Sequence, residues 1–146
     1  MSLEDICISL EIAKKLADAG IKIDSVHFWV QYASTHKWYL RQPKQYQYPP
    51  DMIENEIAGP TADEFELPNC ITNAGDVYHF IHIKTYVDAH RIYYTTLPFN
   101  PFIEDQEEIN KRVIMNEQSF KLCEVFAKTA MWLKKEGYLD GRKSNA

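Results

Sequence analysis

The chain has 146 residues, of which 45% are hydrophobic and 25% are charged, and its formal net charge is −5. This composition is ordinary for a globular protein and excludes collagen-like or disordered architectures. The excess of acidic residues argues against nucleic-acid binding, on a duplex or on sheet aromatics, because that affinity needs clustered Lys and Arg. We expect one globular domain over residues 1–139, a frayed tail over residues 140–146 and no nucleic-acid partner.

The cysteines and the N-terminus indicate the compartment. Cys7, Cys70 and Cys123 are odd in number, far apart, and lack the Cys/His spacing of a zinc site. Buried free thiols suit a reducing compartment, and no segment reads as a signal peptide or membrane span. Glycine-rich phosphate loops are also lacking. The expectation is a cytoplasmic protein with no metal, no cofactor and no membrane contact.

The first predicted element is a helix between Ser9 and Gly20. Ser9 can cap its first turn, apolar residues recur at helical spacing, and Gly20 suits the left-handed conformation that commonly ends a helix. The β-branched and aromatic run at residues 26–32 predicts a strand, with residues 37–40 as its hairpin partner. Four prolines predict an irregular connection over residues 42–60.

A short helix is predicted after Pro60, because Thr61 and Glu64 have the spacing of a capping box. A β section follows, with strands at residues 70–72, 76–84 and 86–95. Residues 99–115 read as a polar connection. The apolar spacing over residues 117–136 predicts a long final helix, after which Tyr138 folds back onto the core.

This order of elements indicates an α+β protein. We expect an antiparallel sheet of about four to five strands, with an N-terminal helix and a long C-terminal helix packed on one face.

Motifs along most of the chain resemble one group of proteins. They are residues 7–16 with Ala19 and Gly20, residues 28–30, residues 59–64 with Leu67 and Pro68, and residues 130–134 with residues 137–139. The chain resembles small proteins encoded by phages and prophage-like regions of gut bacteria, a group with no assigned activity. The shared motifs are helix caps and packing positions. The resemblance therefore implies a fold, a phage-type accessory role and a bacterial or phage-infected host cell, and it supplies no catalytic residue.

The predicted strand over residues 76–84 has two different faces. Val77 and its alternate neighbours make the more apolar face, on which we expect the helices to pack. The opposite face, called the Tyr78 face from here on, is aromatic and carries polar groups, as interface cores do. The leading hypothesis is that it binds another protein or a second copy of this chain through Tyr78, Phe80, His82, Lys84, Tyr86 and Tyr94. Alternatively, these side chains only cover a half-exposed sheet.

A second hypothesis is a small enzyme or ligand binder. Its pocket would use side chains drawn from Cys70, His79, His82 and His90. His79 and His82 lie on opposite strand faces, and His90 can approach either one, depending on register. The hypothesis needs two or more of these side chains to converge within hydrogen-bond reach in a cleft. No serine has the sharp-turn setting of a catalytic nucleophile, so an enzyme is the less favoured class.

Overall fold

The structure, a computed structural model, describes residues 2–42, 52–85, 89–97, 107 and 112–139. Its contacts divide the chain into two compact units. The first unit comprises Met1–Glu66 and Lys121–Ala127, and the second comprises Leu67–Phe120 and Lys128–Ala146. The predicted α+β class, with antiparallel strands and helices toward both ends of the chain, is confirmed. The strands form two sheets, of three and four strands, where the sequence predicts one.

The first unit contains two helices and a three-stranded sheet of order β2-β1-β3. Its elements are α1 (Leu3–Ile6), α2 (Leu10–Asp18), β1 (Phe28–Tyr32), β2 (Trp38–Arg41) and β3 (Ile53–Ala58). Helix α2 matches the prediction, because the Ser9 hydroxyl accepts a hydrogen bond from the Ile12 N–H at 3.3 Å. Gly20, with φ of +76°, follows the helix in the left-handed conformation that suits glycine.

Strand β3 corrects the prediction of an irregular connection over residues 42–60. It runs antiparallel to β1, with Phe28 opposite Ala58. Its exposed polar residues Glu54, Asn55 and Glu56 give no strand pattern, so the pairing with β1 decides its conformation. Residues 43–51 of the same prediction lie outside the described residues.

The predicted capping box is present, but the helix that it begins is shorter than expected. Ala62–Glu64 form a single 3-10 turn, and the Thr61 N–H donates to Glu64 Oε1 at 2.9 Å. The carboxylate of Glu64 is shared with groups from outside the turn, as described below.

The second unit contains a four-stranded sheet of order β4-β5-β6-β7. Its strands are β4 (Cys70–Asn73), β5 (Asp76–Lys84), β6 (His90–Thr95) and β7 (Val113–Ser119). The final helix, α3 (Leu122–Lys135), contributes its residues from Lys128 onward to this unit. Strand β7 replaces the end of the predicted connection and the start of the predicted helix, because its backbone pairs with β6.

The helix packs on the Tyr78 face of this sheet, so the expectation that it covers the Val77 face is wrong. The Tyr94 ring is fully buried and stacks on Trp132 of α3, with 6.2 Å between ring centroids. Trp132 also stacks on Tyr138, which confirms that Tyr138 folds back onto the core. Val77 is 38% exposed. Tyr94 tolerates burial because its hydroxyl donates to the Pro68 carbonyl at 2.8 Å.

Candidate functional site

The Tyr78 face is closed at one end and open at the other. At the closed end, Phe80 lies edge-on to the buried Tyr94, with ring centroids 5.7 Å apart. At the other end, His82 and Lys84 are exposed. Tyr78 is half-buried, and Tyr86 lies outside the described residues. The predicted contact residues that the structure describes therefore do not form one open surface.

The open end brings two histidines together across neighbouring strands. His90 is the register partner of Lys84, and His82 is the diagonal neighbour of His90 on the same face. His82 Nε2 and His90 Nδ1 are 3.1 Å apart, and the two rings are nearly parallel, with an interplanar angle of 19° and centroids 5.3 Å apart. We call His82, Lys84 and His90 the histidine end of the sheet.

The surroundings of His82 shift its pKa. Partial burial, and after it the positive charge that His90 can carry, lower the pKa of His82 below its ordinary value of 6.5. His82 is therefore mostly neutral at pH 7. When both rings are neutral, the N–H of one ring donates a hydrogen bond to the lone pair of the other. An N–H donor and a nitrogen lone pair therefore meet at an exposed surface.

The other two residues of the ligand-binder hypothesis lie on the opposite face. Cys70 is the register partner of His79 across β4 and β5. The alternation along β5 puts His79 on the face away from His82. The predicted set thus separates into two pairs, and the pair that the structure brings within hydrogen-bond distance is His82 with His90.

A second polar cluster, centred on Glu64 and His27, lies in the first unit, and the sequence did not indicate it. His27 is 7% exposed, and its Nδ1 is 3.4 Å from Glu64 Oε1. The same carboxylate accepts from the Ser25 hydroxyl at 2.9 Å, the Val26 N–H at 2.8 Å and the Thr61 N–H at 2.9 Å. The capping box identifies Glu64 in the sequence, whereas its contact with a residue 37 positions away depends on tertiary structure.

This cluster contains Ser, His and Glu without the geometry of a catalytic triad. The Ser25 hydroxyl bonds to Glu64 and to the backbone of His27, while His27 Nε2 faces the Gln42 amide at 3.2 Å. A triad needs the hydroxyl beside the imidazole nitrogen that is turned away from the carboxylate. Burial acts to raise the pKa of Glu64, but the hydrogen bonds outweigh it and hold that pKa below 4.5. The cluster is therefore a hydrogen-bond network that holds residues 25–27 against residues 61–64.

Two of the cysteines behave as the sequence predicts. Cys7 and Cys123 are free and buried. Burial raises the pKa of each thiol to about 11, so neither is a thiolate near neutral pH. Cys70 forms no disulfide and is half-buried.

The first unit also has a cleft of about 300 Å³ between α2 and β3. Its walls are mainly apolar, with Leu16, Ile21 and Ile57 among them, and Lys22 and Glu56 are its charged residues. This volume is at the lower end for small-molecule sites. The cleft contains none of the residues predicted from the sequence.

Within the described ranges, no group of three or more His, Cys, Asp or Glu side chains is arranged to hold a metal ion. No helix of the described chain has the length and apolar character to cross a membrane. Comparison of the sequence and the fold with known protein families, curated proteins and solved structures found no match. A functional proposal must therefore be based on the geometry of the histidine end.

Proposed function

We propose that this is a small ligand-binding protein and that its ligand binds at the histidine end. The observation that supports the proposal is the 3.1 Å approach of the His82 and His90 ring nitrogens at a solvent-facing position. Of the sequence hypotheses, this is the ligand binder, with two of its four candidate groups within hydrogen-bond reach at an exposed position instead of in the expected cleft.

The histidine end stands apart from the packing of the closed end, where Tyr94, Trp132 and Tyr138 stack in sequence. Two imidazoles in contact repel each other as soon as both are protonated, so their approach lowers stability in acid. Titratable groups with shifted pKa values are concentrated at functional sites in proteins.

Paired imidazoles bind two kinds of ligand: a metal cation through their lone pairs, or an oxyanion through N–H donation and positive charge. The experiment is a nuclear magnetic resonance titration of histidine ring signals with zinc chloride, inorganic phosphate and acetate as separate probes. We expect at least one probe to shift His82 and His90 saturably while His36 stays unchanged. His36 is a suitable control because it is exposed and contacts Glu54 instead of a second histidine. If none of the three probes shifts the pair, the proposal fails.

Protein binding is a second candidate, favoured by Phe120. This ring is 74% exposed and follows Ser119, the register partner of His90. An exposed aromatic side chain at the same end of the sheet as Lys84 combines an apolar anchor with a cation, as interfaces do. The occupant that we propose is a second copy of this chain, in which an acidic side chain would pair with Lys84.

Sedimentation velocity at increasing protein concentration tests this second candidate. We expect association that weakens in Phe120→Ser and at high salt. A monomer at every concentration, or association that Phe120→Ser leaves unchanged, would exclude it.

A phage or prophage origin and a cytoplasmic location remain proposals. The origin is supported by the sequence motifs of helix caps and packing positions. The location is supported by the free, buried thiols of Cys7 and Cys123, which suit a reducing compartment.

A further inference from the structure

We propose that the ligand of the histidine end is a divalent transition-metal ion of the zinc and copper class, held by His82 Nε2 and His90 Nδ1. Water would fill the remaining coordination positions. This inference rests on the proposed function, since it names the class of ligand that the same pair binds.

The spacing of the two nitrogens fits a shared ion. A nitrogen ligand lies ~2.0–2.1 Å from zinc, so two such ligands stand about 3.3 Å apart at a tetrahedral angle and about 2.9 Å apart at a right angle. The observed separation of 3.1 Å lies between these limits. The nitrogens therefore need no backbone movement to reach one ion.

The orientation of the rings also permits binding. The rings are nearly parallel, and His82 is exposed. Modest rotation about the Cβ–Cγ bonds turns both lone pairs toward a common point on the solvent side, because these torsions have broad energy minima. The strands fix the histidine backbones in register, so little conformational entropy is lost when the ion binds.

The chemistry of the two donor atoms selects the class of metal. A metal ion binds only the neutral imidazole, so binding is measured above the ordinary histidine pKa of about 6.5. Two nitrogen donors select zinc, copper, nickel or cobalt over magnesium and calcium, which require oxygen ligands.

The two-histidine site can form within the sheet because the ligands come from separate strands. His79 and His82, on one strand, point to opposite faces and cannot share an ion. His82 and His90 are diagonal neighbours on one face, which brings their side chains together. The fold therefore assigns the metal to this pair among the four residues of the ligand-binder hypothesis.

Isothermal titration calorimetry of the full chain, without an affinity tag, tests the inference at pH 7.5 with the chlorides of zinc, nickel, cobalt and magnesium in separate titrations. We expect one ion per chain, tighter binding of nickel than of cobalt, and no heat with magnesium. His82→Ala and His90→Ala should each weaken binding by about tenfold or more, and the double variant should bind no more weakly than either. Circular dichroism and thermal unfolding check that each variant is folded. If His82→Ala does not fold, His82→Gln replaces it.

Two control variants locate the site. His36→Ala should bind nickel like the wild type, because His36 has a carboxylate neighbour and lies in the first unit. Cys70→Ser should also be unchanged, since Cys70 is a half-buried thiol on the opposite face. Wild-type affinity in His82→Ala, or loss of binding in Cys70→Ser, would overturn the inference.

The phosphate and acetate arms separate this inference from the proposed function. If either anion shifts His82 and His90 and the metals do not, the metal assignment fails while the ligand-binding function stands. If the metals and both anions leave the pair unchanged, both fail.

Discussion

The two ends of the Tyr78 face carry similar sequence signals and have different environments. At one end Tyr94 is fully buried between the sheet and Trp132, and its hydroxyl has a backbone acceptor. At the other end His82 and Lys84 are exposed. An aromatic strand face therefore need not act as one surface: one part can be hydrophobic core while the next few residues remain open to a ligand.

The comparison also separates two ways of using polar aromatic rings. The phenol of Tyr94 is buried and its pKa is raised by that burial, so it acts as a neutral hydrogen-bond donor. The His82 ring meets another titratable ring at the surface. Substitutions at the first end should change stability, and substitutions at the second should change binding and pH response.

The largest effect is expected for Tyr94→Ala. Removing a fully buried aromatic ring should lower the free energy of unfolding by about 3–5 kcal/mol, because contacts are lost and a cavity remains. Urea unfolding measures this change in the free energy of unfolding. His82→Ala is the matched change at the open end and should stay within about 0.5 kcal/mol of the wild type. Equal losses at both positions would contradict the contrast between the ends.

Trp132→Ala should have a smaller effect, since Trp132 is half-buried although it stacks on Tyr94 and Tyr138. We expect a loss of about 2 kcal/mol, roughly half the cost of a fully buried ring. Lys135→Ala, on an exposed position of the same helix, is the control and should be near neutral. If both variants unfold at the wild-type urea midpoint, α3 does not cover this face.

Tyr94→Phe isolates the hydroxyl. It removes the hydrogen bond to the Pro68 carbonyl and keeps the ring, so the expected loss is about 1 kcal/mol. Urea unfolding of Tyr94→Phe beside Tyr94→Ala separates the hydrogen bond from packing. A Phe variant as unstable as the Ala variant would show that the ring contributes nothing.

The smallest effect is the loss of stability at low pH. The pKa of His82 is below 6.5 in the folded state and near 6.5 in the unfolded state. At a pH between the two pKa values the unfolded chain therefore binds more protons at this site. The contribution of His82 to stability is therefore complete above pH 6.5 and is lost as the pH falls through the folded-state pKa. We expect the urea midpoint to fall less between pH 7.5 and pH 5.5 in His82→Gln than in the wild type. Parallel curves would mean that His90 and burial leave His82 unperturbed.

Local signals in the sequence predict much of the fold. Ser9 and Gly20 mark helix α2, and the alternation over residues 76–84 gives β5 with its observed bounds. Strand β3 was missed because its consecutive exposed residues Glu54, Asn55 and Glu56 show no apolar alternation, and the pairing with β1 decides its conformation. Propensity is a weak guide where an edge strand is held by its neighbour.

The arrangement of the candidate site residues was predicted in part. Alternation separates His79 from His82, but the approach of His90 to one of them depends on the β5–β6 register, which no local pattern fixes. The assignment of the covered face was wrong because both faces of β5 mix apolar and polar groups. The stacking of Trp132 on Tyr94 decides it, and that contact joins residues 38 positions apart.

Solvent exposure of the two ends can be measured directly by paramagnetic relaxation of side-chain signals with a neutral, soluble gadolinium chelate. We expect strong relaxation of the His82 ring and the Lys84 side chain, and almost none of the Tyr94 ring. Relaxation of Tyr94 as strong as that of His82 would contradict the division of the Tyr78 face into a closed aromatic end and an open histidine end.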